Sequence, residues 1–112
     1  MNIEMIGDRD FTRSVREHDG VWVLFSGQTV YMLEVEGGRG LPVWSFASDA
    51  EIFASKHERS GLTPVFVPLD YLLGASWLGS QKLNIVEVLA SPKYGHQALV
   101  YTTGELSEKL KT

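Results

Sequence analysis

"GGRGLPVWSF", residues 37–46, puts three glycines and an arginine ahead of an apolar run that contains a proline and a tryptophan. Two readings compete. A phosphate-cradling loop follows a strand and opens a helix, because the anion needs the free N–H groups of a helix N-terminus directly after the glycines. It is written with a Gly-Lys-Ser/Thr ending or as Gly-x-Gly-x-x-Gly, and neither spacing occurs here. The alternative is a tight turn feeding a buried strand. Glycine tolerates the positive φ of tight hairpins, and Pro42 favours an extended Leu41 before it. Turn then strand accounts for every residue, and it makes this stretch part of a sheet.

Upstream, "VWVLFSGQTVYMLEVE" (21–36) supplies two runs rich in β-branched and aromatic residues, split at Ser26-Gly27-Gln28 as in a β-hairpin. The first run, Val21 to Phe25, is apolar at every position, which predicts a central strand buried on both faces. The second ends in alternation, Leu33-Glu34-Val35-Glu36, with one face wet. Before them, "DRDFTRSVREHDG" (8–20) has Phe11 and Val15 four apart and Gly20 as a stop, the pattern of a short amphipathic helix.

Downstream, Ser48 and Glu51 have capping-box spacing. Ala50, Phe53, Ala54 and His57 then share one face of a helix that ends by Gly61. "TPVFVP" (63–68) is a short strand bounded by prolines, which suits a sheet edge. "LDYLLGASWLG" (69–79) has helical spacing, with Asp70 as a cap and Gly74 as a weak interior point. "KLNIVEVLA" (82–90) and "QALVYT" (97–102) are two more strands joined by the polar loop "SPKYGH". Thr102 and Glu105 repeat the capping-box spacing before a last helix with Leu106 and Leu110. The expected architecture is one α+β domain spanning 1–112. It has a mostly antiparallel sheet of about five or six short strands, with three or four helices packed on one face.

The order of a helix, "VWVL", a hairpin, "LPVWSF" opening a helix, and "VPLDYLL" followed by Trp77-Leu78 resembles a small bacterial family, domain of unknown function twenty-seven-fifty. The resemblance runs from about Phe11 to Leu110. Ser45 stands where that family tends to have proline, and the segment from Ser80 to Lys82 is shorter than the family's usual linker. The resemblance implies this fold and carries no activity.

Composition narrows the function classes. The 112 residues hold 14 acidic and 10 basic side chains, a formal net charge of −4, and the basic ones are scattered. Nucleic acid is therefore not the expected partner, since phosphate binding needs a clustered positive surface. No apolar run approaches the roughly 20 residues of a membrane span. The absence of cysteine removes disulfides, thiolate nucleophiles and cysteine-based metal sites. The start "MNIEMIGDRDF" lacks the charged and apolar regions of a secretory signal, so a cytoplasmic location is the default expectation.

Chemistry-bearing residues are few. His57 lies on an apolar helix face, where a structural histidine is the first expectation. His18 falls in the last turn of its helix, where an imidazolium meets the dipole favourably. His96 shares a strand-connecting loop with Lys93 and Tyr94, so a ligand pocket formed by His57, Tyr94 and His96 is one reading. Metal-ligand spacings and a Gly-x-Ser-x-Gly elbow are not written, and no cofactor or metal is expected. Glu34 and Glu36, on one face of a strand, would stand about 7 Å apart. Trp22, Trp44 and Trp77 sit among apolar neighbours, with core packing the first expectation for each.

A small, acidic, cysteine-free domain without a catalytic constellation fits a non-catalytic module that docks a basic protein. The most concrete form is a toxin-neutralising immunity protein, because acidic inhibitors use charge complementarity for fast association. The residues expected to carry docking are Glu34, Glu36, Asp49, Glu51 and Glu58, with Trp44 or Tyr94 as anchors. The rivals are a small-molecule binder or minor enzyme near Tyr94 and His96, and a homo-oligomer paired through the strand edge at Thr63 to Val67.

Overall fold

The computed structural model describes residues 8–56, 61–74, 77–78, 82–92 and 99–111. The chain runs α1 (Asp8–His18), β1 (Gly20–Ser26), β2 (Thr29–Val30), β3 (Leu33–Val35), β4 (Gly38–Val43), α2 (Ala47–Lys56), β5 (Leu62–Pro68), α3 (Leu69–Leu73), β6 (Ile85–Ala90), β7 (Leu99–Thr102) and α4 (Thr103–Lys111). The strands form two sheets, β2-β1-β5 and β3-β4-β6-β7, antiparallel except for the β4–β6 pair. Among the described residues, four helices and seven strands make an α+β fold. Its Cα radius of gyration, 13.2 Å, is that of one globule of this length.

Local chemistry explains the turns. The β1–β2 hairpin closes through Gly27-Gln28 with Gly27 at φ +65°, the positive first central position of a type II′ turn. The β3–β4 hairpin closes through Glu36-Gly37 with Gly37 at φ +85°. Glu36 is thus a turn residue and does not share a strand face with Glu34, because the glycine that permits the turn follows it directly. The other two glycines of the stretch have a different cause. A Cβ at Gly38 would stand 2.8 Å from the Asn84 carbonyl oxygen, and one at Gly40 would stand 2.7 Å from Leu89 Cδ1. These glycines let β4 and β6 approach closely, and no phosphate loop is formed.

β6 carries an extra residue in that pairing: Arg39 faces Ile85 while Gly40 faces Glu87, so Val86 bulges out of register. The bulge shifts the side-chain alternation. Ile85 therefore points into the core together with Val88 and Ala90, three positions that an unbroken period of two would not place on one face.

β1 is central and buried on both faces, as its uninterrupted apolar run requires. Val21 and Val23 join the large core cluster, which also takes Phe11 and Val15 from α1, Leu72 from α3 and Leu106 and Leu110 from α4. Leu24 faces the other way with Trp44 and Ala50, and Trp22, Phe53 and Ala54 pack against them. The helices consequently lie on two faces, with α2 opposite the rest, because a strand apolar on both sides has to be covered on both.

Four further boundaries differ from expectation. α1 stops at His18 through Asp19 in the left-handed region (φ +58°), not through Gly20, which is already in β1. α2 begins at Ala47, so Ser48 is inside the first turn and makes no capping exchange with Glu51. α3 ends at Leu73 with Gly74 as its C-cap and does not run on to Trp77. Asp70 accepts a hydrogen bond at its Oδ1 from the Tyr71 N–H at 2.9 Å, while Pro68 holds the N-cap position. The second capping box forms as read: the Thr102 N–H donates to Glu105 Oε1 and the Glu105 N–H to Thr102 Oγ1, both at 3.1 Å.

Glycine substitutions separate these roles. Gly38→Ala forces a methyl against a backbone oxygen that cannot yield and is expected to lower unfolding free energy by about 1–3 kcal/mol in urea titration. Gly104→Ala, in α4 with nothing within 4 Å of the added Cβ, is expected to raise it by up to about 1 kcal/mol.

Candidate functional site: an aromatic ledge

Among the described residues, one isolated residue pair bridges the two sheets. The Trp22 N–H donates to the Trp44 carbonyl at 2.7 Å, and the Trp44 N–H donates to the Trp22 carbonyl at 2.8 Å. Trp44 itself is fully buried. Its indole N–H donates to the Pro92 carbonyl at 3.0 Å, and its ring lies 5.1 Å from that of Phe53. It is a core residue and therefore not a surface anchor for a partner.

Two residues past Trp44 the chain surfaces. Phe46 is 48% exposed, and the His18 ring meets it edge-on at 5.4 Å. Alongside, Phe66 of β5 is 37% exposed and packs edge-on against half-buried Trp22 at 5.5 Å. Gly20 makes that placement possible, since any side chain there would run into the Phe66 ring and the Val67 carbonyl. His18 with Phe46 and Trp22 with Phe66 are two ring pairs linked through the Trp22–Trp44 bridge, and together they are termed the aromatic ledge.

Charged residues adjoin the ledge in the chain, with Arg16 in the last turn of α1 and three acids close by in sequence. Asp19 follows His18, and its carbonyl accepts the Leu69 N–H at 2.8 Å, which brings the chain at Asp70 alongside. Asp49 lies in the first turn of α2, three residues after Phe46. Isolated exposed apolar residues elsewhere, Ile52 on α2 and Val100 on β7, have no such grouping.

The β5 edge has its own character. Trp22 and Leu24 direct their main-chain groups away from β5, toward Trp44 and Tyr31. The β1–β5 ladder therefore uses Thr63, Val65 and Val67, and the outward-facing positions of β5 are Leu62, Pro64, Phe66 and Pro68. Two of those four have no N–H to give, so pairing a second strand along Thr63 to Val67 works against the edge chemistry.

Of the residues singled out from sequence, Glu34 is exposed on β3, Glu36 is exposed on its turn, Asp49 sits in the first turn of α2 and Glu51 is exposed one turn further on. The hairpin acids and the helix acids are on separate elements. Glu58, His57, Tyr94 and His96 lie outside the described residues. Among the described residues no three His, Asp or Glu side chains group as metal ligands, and no helix is long and apolar enough to cross a membrane. The ledge was not anticipated. Its signal was Phe66 alternating with Val65 and Val67 in a proline-bounded edge strand, together with a glycine opposite it. No protein-family model matches the chain, and no curated protein matches it either.

The contrast between buried and exposed aromatics is measurable. Trp44→Phe is expected to cost about 2 kcal/mol or more, since it leaves a buried carbonyl unpaired and opens a void. Phe46→Ala is expected to cost less than about 1 kcal/mol, both read from urea unfolding followed by circular dichroism.

Proposed function

We propose that the protein is a non-catalytic binding module that docks a basic protein partner on the aromatic ledge, most concretely as an immunity protein that neutralises a basic toxin in the cytoplasm. The observation that carries this reading is the ledge: two half-exposed phenylalanines and a histidine beside carboxylates. Large aromatics held rigidly at a surface act as interface anchors. An acidic surround steers a cationic partner toward them and rejects an acidic one. The net charge of −4 acts in the same sense over longer range. In this proposal Phe46 and Phe66 supply the contact area, and Asp49 and Glu51 on α2 supply the complementarity. Glu34 and Glu36 lie on a different element and belong to the outer field. The resemblance to domain of unknown function twenty-seven-fifty is part of the same proposal and adds no activity to it.

The test is affinity capture of the tagged protein from its native cells at low and at high salt. The expected result is a single stoichiometric basic protein that salt weakens and that is toxic when expressed alone. Phe46→Ala combined with Asp49→Lys is expected to weaken capture by about tenfold or more while leaving the melting curve in place. Recovery of the protein without a partner, or capture indifferent to both substitutions, overturns the proposal.

A further inference from the structure

A second surface feature lies where the chain crosses from one sheet to the other. The strand that follows Gly27 pairs with β1 through Val30, keeps one further bond from the Tyr31 N–H to the Leu24 carbonyl, bends at Met32 and pairs with β4 from Leu33. The bend opens a cleft of about 350 Å³, within the usual range of small-ligand sites. Half-buried Met32 and Leu33 give it an apolar side, and Ser26 and Thr29 bring hydroxyls.

Two opposite charges also line it. Glu34 and Arg39 face each other across β3 and β4. The Arg39 N–H donates to the carbonyl of Asn84, the turn residue just before β6 on the far side, so Glu34 and Arg39 form a non-hydrogen-bonded pair, the kind that holds Cα atoms closest, at about 4.5 Å. Backbone geometry offers them an ion pair, yet among the described residues the two form none with each other. Both stand at the cleft instead. An exposed pair of this type gains little by closing on itself, so a ligand that meets both charges displaces almost nothing. A carboxylate suits the two-donor fork of Arg39, and an ammonium suits Glu34.

We propose that this cleft binds a small zwitterion of the α-amino-acid type with an apolar side chain, its carboxylate on Arg39, its ammonium on Glu34 and its side chain on Met32 and Leu33. This site is independent of the ledge and of any protein partner.

The test is a titration of the ¹⁵N-labelled protein with L-leucine, L-methionine and L-valine, followed by amide chemical shifts. Saturable shifts confined to the segment from Ser26 to Arg39 are expected. Glu34→Gln and Arg39→Gln, both at exposed positions, are each expected to weaken binding by about tenfold. Leucinamide, which lacks the carboxylate, and 4-methylpentanoate, which lacks the amine, are expected to bind as weakly to the unsubstituted protein. Absence of shifts with all three amino acids overturns the assignment. Equal shifts with uncharged N-acetyl-leucinamide, or shifts unchanged in both variants, overturn it as well.

Discussion

The paired main-chain hydrogen bonds between Trp22 and Trp44 are the constraint on which the rest of the structure hangs. They join two sheets at a single point and set the alternation of both strands there. With Trp22 committed to that exchange, Val21 and Val23 turn to the large core, and Leu24 turns to the side that α2 covers. The Trp44 indole then ties the junction to Pro92, just past β6, where the Ser91 N–H also donates to the Val43 carbonyl at 2.6 Å. The main-chain N–H and carbonyl of both tryptophans and the Trp44 indole N–H are all bonded within the protein, which is what allows so large a side chain as Trp44 to be wholly buried.

From that point β4 acts as the hub. It pairs with β3 on one side and with β6 on the other, and the second pairing is parallel and closer than side chains on Gly38 and Gly40 would allow. The glycine-rich stretch is thus a packing device. One glycine turns the hairpin and two admit a neighbouring strand. The Val86 bulge then restores the inward direction of the residues that follow, so a crowded parallel pairing still delivers Val88 and Ala90 to the core.

What could be read in advance was whatever depends on near neighbours. The Thr102–Glu105 capping box formed because spacing of three is all it needs, and the apolar run of β1 announced a strand covered on both faces. The Ser48–Glu51 pair has the same spacing and failed, because the chain leaving the Trp44 junction enters the helix two residues earlier, with Phe46 at the cap position. Gly20 looked like a helix stop and is instead a seat for Phe66, forty-six positions away in the chain. The parallel pairing of β4 with β6 depends on which distant strand lies alongside, and no local pattern encodes that. The ledge belongs to the same class: the register of β1 against β5 sets Trp22 beside Phe66, and the Trp22–Trp44 bridge brings the segment holding Phe46 back to His18.

That register also decides how this surface can be used. β5 presents Pro64 and Pro68 on its outer edge, so a visiting strand finds half of the donors it would need missing. The same register turns the Phe66 side chain onto the open face beside Trp22. Recognition through main-chain addition is therefore suppressed where recognition through side chains is offered. Main-chain addition is indifferent to much of a partner's sequence, whereas aromatic packing beside carboxylates demands a matching shape and charge. An edge strand built this way guards against indiscriminate pairing, because the prolines remove donors along the edge without interrupting the ladder that β5 makes with β1.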